Sequence, residues 1–277
     1  MEAREVNSDT KARGLISEYL KKFHVMDYTV HPGEIPNESP GKSSNIAWAA
    51  RKASERYTTI MRDDVIFTVI DGSCDPPKTG ISANGPLADS HLSSNYFEEI
   101  TLMHMKYPKT APNTIYAAPI IFDRNAHNVP VLVRIADILW CAAGISGLYS
   151  ISSIGPPTSV YSLPLSLADK VGGWDADNEA IGEDLHMYVK CFFATNGNLR
   201  TRTVLAPASQ TNVSSGLKGQ RGAIGDVKAR YKQALRHMWG SLDSGYALRK
   251  FASLWADRKC RVRTFRPIHS SGYVFYI

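Results

Sequence analysis

The sequence predicts an α/β fold, on three observations. Helix-type and strand-type apolar patterns alternate along the chain. One strand-type run, Val65-Ile-Phe-Thr-Val-Ile-Asp71, is almost continuously apolar and ends on an acid. That pattern suits a strand buried on both faces of a sheet, with a functional group at its C-terminal end. Apolar residues make up 43% of the 277 and charged residues 21%, enough apolar surface to offset the entropy of ordering.

The elements follow in order. Residues 9–23 place Leu15, Ile16, Tyr19, Leu20 and Phe23 at helical spacing. A turn-rich stretch with Pro32, Gly33, Pro36, Pro40 and Gly41 comes next. Lys42 then opens an alanine-rich segment, with Ser43 or Ser44 placed to cap a helix. After the strand at 65–71, residues 72–87 are rich in Gly, Pro, Ser and Asn without periodicity and read as a surface loop. A helix is predicted over 96–105 and a strand over 116–122. The uncharged stretch 138–154 is near the lower limit for a membrane span but rich in Ser and Gly. It reads as buried strand and loop, so no transmembrane helix is predicted. A helix over 184–194 stops at Gly197 and Asn198, and a long helical pattern over 227–255 is interrupted near Gly240 and Gly245.

The net charge of +6 favours anionic partners: nucleotide phosphates, nucleic acid or an acidic membrane face. No helix-turn-helix, zinc-finger or aromatic-basic repeat is present, so nucleic acid is not the expected partner. Cys74, Cys141, Cys191 and Cys260 lack paired spacing, which argues against a zinc site or a disulfide framework.

The chemistry concentrates in Val171-Gly-Gly-Trp-Asp-Ala-Asp-Asn-Glu-Ala-Ile-Gly-Glu-Asp-Leu-His. Asp175, Asp177, Glu179, Glu183 and Asp184 fall within ten positions, and the last two open a helix where the macrodipole favours negative charge. Acids at such a point either serve chemistry or solvate and cap the helix start.

The run Gly-Gly-Trp-Asp…Glu-Asp-Leu resembles the acceptor-side motif of family 2 glycosyltransferases, the group of cellulose, chitin and hyaluronan synthases. With Pro156-Pro-Thr-Ser-Val-Tyr-Ser-Leu it is similar to a fungal branch of multi-pass family 2-like proteins. The resemblance implies a GT-A-like mixed sheet flanked by helices. It also implies transfer of a sugar from a UDP- or GDP-sugar to a saccharide or lipid acceptor. The match to Asp184 implies the general base, with Glu183 beside it, and direct displacement would invert the anomeric centre.

In this family an Asp-x-Asp at a strand end holds Mn2+ or Mg2+ against the diphosphate. Asp71 and Asp89 match its two acids, split by residues 72–87. That segment reads either as a tolerated surface insertion or as an unspliced in-frame intron. The family's Gln-x-x-Arg-Trp helix matches at Gln233 and Arg236, which implies donor binding; His237 stands at the Trp position, a further candidate metal ligand. Lys42 in Gly-Lys-Ser-Ser-Asn resembles the family's donor-side lysine, although the spacing of a P-loop is absent.

The expected organisation is therefore a partial catalytic domain over 1–255, N-terminally incomplete, and a basic tail over 256–277 that stops short of the membrane helices of longer relatives. Those relatives imply membrane association with a cytosolic catalytic face. The competing expectation is an inactive glycosyltransferase-like fragment, because the nucleotide-binding strands are not visible and the metal motif is split.

Overall fold

The computed structural model describes residues 7–22, 25–33, 35–38, 41–70, 90–147, 155–177, 182–215 and 219–256. A mixed four-stranded sheet forms its centre. It is built from β1 (Ile66–Val69), β3 (Thr114–Ala117), β5 (Tyr161–Pro164) and β6 (Arg200–Thr203) in the order β1-β5-β3-β6. β5 runs antiparallel to both β1 and β3, and β3 runs parallel to β6. A smaller sheet in the order β2-β7-β4 joins β2 (Ser90–His91), β4 (Ile120–Ile121) and β7 (Ala208–Gln210).

Side chains alternate across the central sheet as the pleat requires. Ile115, Tyr161 and Leu163 face one core with Trp174, Met187 and Cys191. Tyr116 and Val160 face a second core with Tyr96, Ile100 and Ala208. Helices α2 (Lys42–Arg56), α5 (Leu165–Lys170) and α6 (Glu183–Ala194) cover the first, and α3 (Ser94–Lys106) covers the second. α1 (Ser8–Tyr19) stands at the N-terminal side of the description. Ala47 and Ala50 are the buried small residues by which α2 enters the first core.

α6 buries Glu183, His186, Met187 and Cys191, positions three and four apart on one face. It ends as the sequence predicts. Asn196 and Gly197 adopt left-handed φ of 51° and 74°, and the Gly197 N–H closes on the Phe192 carbonyl at 2.9 Å.

Several expectations are corrected. The stretch read as buried strand and loop belongs largely to a helix, α4 (Val131–Ser146), which buries only Val133 and Asp137; residues 148–154 lie outside the described set. An apolar run without polar alternation carries no period that separates helix from strand. The single strand predicted over 116–122 is two, β3 and β4, in different sheets. Pro119 between them has no N–H to give a ladder, and its carbonyl accepts from Ala208 at 2.9 Å. β1 is half-buried and stands at the sheet edge, rather than buried on both faces. The cap of α2 is Gly41, and the Ser44 hydroxyl donates back to the Gly41 carbonyl at 3.1 Å. The long C-terminal pattern divides at Met238–Gly240 into α7 (Gly219–His237) and α8 (Ser241–Ala256).

Candidate active site at the start of helix α6

The first turn of α6 directs two adjacent carboxylates into different surroundings. Glu183 points inward and is 5% exposed. Its Oε1 accepts from the Tyr161 hydroxyl at 2.8 Å, and its Oε2 lies 2.8 Å from the Lys42 ammonium. The Trp174 indole N–H donates to the same Tyr161 oxygen at 2.7 Å, while its ring leans on Phe67 at 5.1 Å. Burial pushes the Glu183 carboxyl up, and the Lys42 charge pulls against that shift. Burial, and then the Glu183 charge, hold the Tyr161 phenol well above its ordinary value, so it remains a donor.

Asp184 is half-buried and held by the backbone. Its Oδ1 accepts the Leu185 N–H and its Oδ2 the Ser159 N–H, each at 2.9 Å. Ser159 adopts a left-handed φ of 54°, uncommon for serine, two residues before β5 begins. A carboxylate has about four acceptor positions, so two such bonds orient the group and leave capacity to take a proton.

Behind these acids lies a second network. His186 stands between two carboxylates, with Nδ1 2.8 Å from Asp243 and Nε2 3.0 Å from Asp175. The Lys190 ammonium adds a 2.7 Å contact to Asp175, and Tyr246 covers the imidazole at 4.5 Å. Burial alone would lower the histidine pKa, but the two carboxylates raise it to about 9. Asp243 comes from α8, so His186 fastens α8 and the Asp175 segment to α6, and Lys190 donates to the Gly173 carbonyl at 2.8 Å. Gly182 is confined there: a Cβ on it would stand 2.5 Å from Asp243 Oδ2.

The residues predicted from sequence fall into three groups. Lys42, Glu183 and Asp184 come together at this corner. Gln233 and His237 lie on α7, where the described contacts tie that helix to α4. Gln233 accepts from Arg230 at 2.9 Å, Arg230 is ion-paired with Asp137 at 2.8 Å, and the His237 ring lies 4.8 Å from Trp140. Arg236 shares α7, and its side chain is outside the description. Asp71 and Asp89 also fall outside the described residues, one directly after Ile70 and the other directly before Ser90. Among the described residues no group of three His, Cys, Asp or Glu side chains is placed to hold a metal.

Sequence reading missed Ser159, Tyr161, His186 and Asp243. The first two lie inside a run quoted for its resemblance, and nothing local marks them as partners of the acids. A cleft of about 380 Å³ between α2 and α5 shares Trp174 with the site. Its arginines are already engaged, Arg62 with Asp169 at 2.7 Å and Arg51 with Glu38 at 2.8 Å.

The model of the family described as Glycosyl transferase family group 2 matches residues 88–275, more than half of the chain. The chain belongs to this family. The glycosyltransferase match includes Asp89, Glu183, Asp184, Gln233, Arg236 and His237, and leaves Lys42 and Asp71 before its first residue. No curated protein and no solved structure matches the chain. Membership sets the reaction class as transfer of a sugar from a nucleotide-sugar donor to an acceptor, and the mixed α/β architecture is consistent with a GT-A-like fold.

Proposed function

We propose that this glycosyltransferase transfers a sugar from a UDP- or GDP-sugar to a saccharide or lipid hydroxyl with inversion, and that Asp184 is the general base. The observation that carries the reading is the pair of backbone N–H groups, from Ser159 and Leu185, that orient the half-buried Asp184 carboxylate. Its neighbour Glu183 is engaged by Lys42 and Tyr161 and buried, so the two adjacent acids have separate tasks. Asp184 takes the proton from the acceptor hydroxyl as that oxygen bonds to the anomeric carbon, and the bond to the nucleoside diphosphate breaks.

The register of the central sheet supports a donor site at the same corner. Val69, near the end of β1, pairs with Tyr161, the residue that holds Glu183. Asp71 follows two residues later, and its carboxylate and that of Asp89 are hard oxygen donors suited to a divalent cation. Such a cation would neutralise the leaving diphosphate. The described residues do not by themselves supply its ligands, and the proton transfer written here does not run through it.

The test is Asp184→Asn assayed for sugar transfer against a panel of nucleotide sugars. Turnover is expected to fall about 100- to 10,000-fold, while nucleotide still raises the melting temperature. Unchanged turnover removes Asp184 from the role of base.

A further inference from the structure

Among the described residues, both hydrogen bonds that Asp184 accepts come from the backbone, at Leu185 and Ser159. Whatever sets the first turn of α6 therefore sets this carboxylate. One short segment grips that turn on both sides of Asp184. Trp174 donates to Tyr161, which donates to Glu183, the residue before Asp184. Asp175, next in the chain, lies 3.0 Å from Nε2 of His186, two residues after Asp184. The backbone N–H of His186 closes the same turn on the Gly182 carbonyl at 2.8 Å.

The His186 ring meets a carboxylate at each nitrogen, Asp243 at Nδ1 and Asp175 at Nε2. A neutral imidazole offers one N–H and one lone pair, so only the imidazolium donates to both. The two acids differ in what they can spare. Asp243 is 1% exposed and its Oδ2 already has no partner among the described residues, so the last ring proton stays on Nδ1. The Asp175 side chain is 35% exposed and also holds Lys190 at 2.7 Å. Tyr246 of α8 covers the ring, and Glu183, three positions earlier on α6, is paired with Lys42.

We infer that His186 is a positioning residue for the transfer: as the imidazolium it clamps the start of α6, and with it Asp184, between Asp175 and Asp243. The inference rests on the assignment of Asp184 as the base. Loss of one ring proton sets the Nε2 lone pair against the Asp175 carboxylate, and the clamp opens on that side. Burial weakens the hold of the ring on its proton, but the two carboxylates outweigh burial and keep the pKa at about 9. The clamp is therefore closed at neutral pH.

The test follows kcat and KM against pH with the nucleotide sugar that the parent chain turns over. Parent kcat is expected to fall about 10- to 100-fold as pH rises through about 9, the loss that a misplaced catalytic group brings, with the donor KM little changed. Asp175→Asn separates a clamp from general destabilisation. Its amide donates to the neutral ring and still accepts from Lys190. Its kcat is expected to stay level over the same range and to exceed that of the parent at the alkaline end. An isotope-labelled Asp184 carboxyl group gives a readout that needs no turnover. Its resonance is expected to move as His186 titrates in the parent and to stay still over that range in Asp175→Asn. The same alkaline fall in both proteins, or an Asp184 resonance indifferent to His186, overturns the inference. Turnover retained by Asp184→Asn, with the alkaline fall still abolished by Asp175→Asn, removes Asp184 as the base and leaves His186 as the clamp.

Discussion

The Lys42 ammonium lies 2.8 Å from the Glu183 carboxylate and joins the first turn of α2 to the first turn of α6. The carboxylate side chain is 4% exposed and the lysine 32%, so the acid depends on the pair more than the base does. A residue expected on the donor side therefore also compensates a buried charge beside Asp184.

Lys42→Ala is expected to destabilise the fold by about 2–3 kcal/mol, since it strands a buried carboxylate. Adding Glu183→Gln is expected to recover part of that loss, because a neutral amide needs no cation. Denaturant unfolding of both variants checks this, and equal stability of Lys42→Ala and parent would refute the compensation.

His186 gives the site a signature in pH. Its folded pKa of about 9 lies above the ordinary 6.5. The proton is therefore bound more tightly in the folded state, and the stabilisation is complete below about 6.5. It is lost as pH rises through about 9, so the melting temperature is expected to fall across that window. His186→Gln is expected to be less stable at pH 6 and to flatten the profile; a slope unchanged from parent assigns the effect elsewhere.

Gly182→Ala tests the packing at the entry to α6. The added Cβ would meet Asp243 Oδ2, a buried oxygen with no hydrogen-bond partner among the described residues. The Gly182 carbonyl also accepts the His186 N–H at 2.8 Å. A shift of this backbone moves Glu183 and Asp184 with it. The expected cost is about 1–3 kcal/mol, with transfer lost more steeply than stability; wild-type melting and turnover together would show that the turn yields freely.

Deletion of residues 72–87 would leave Asp71-Ala88-Asp89, two acids at the spacing of the family's metal motif. The shortened chain is expected to show a larger thermal shift with manganese and nucleoside diphosphate than the full chain. Saturation to about a hundredfold over Kd corresponds to about 2.7 kcal/mol. Equal shifts in both chains would mean that the interruption does not separate the ligands.

Much of the helical framework was legible because its signals are local. α2, α3 and α6 carry apolar residues three and four apart, and Gly197 marks the end of α6. α4 was not legible, because its exposed face is as apolar as its buried one. β5 escaped notice at four residues with Ser162 and Pro164 among them, although it is wholly buried at the centre of the sheet. Glu183 and Asp184 could be found through their neighbours in the chain. His186 and Asp243 meet across 57 positions, and Tyr161 finds Glu183 only because β5 and α6 share a core. Such pairs are set by tertiary packing and leave no spacing to read.

The placement of β1 has one more consequence. Its one strand partner among the described residues, β5, comes from beyond residue 90, and so do the partners of Lys42 and Arg62 at Glu183 and Asp169. The chain on either side of 71–89 is thus joined by a ladder, two ion pairs and a shared core, besides the peptide bonds between. Two polypeptides made separately and divided there would each present the surface that the other completes. Co-expressed fragments divided there are expected to associate, with Lys42 delivered to the Glu183 corner in trans.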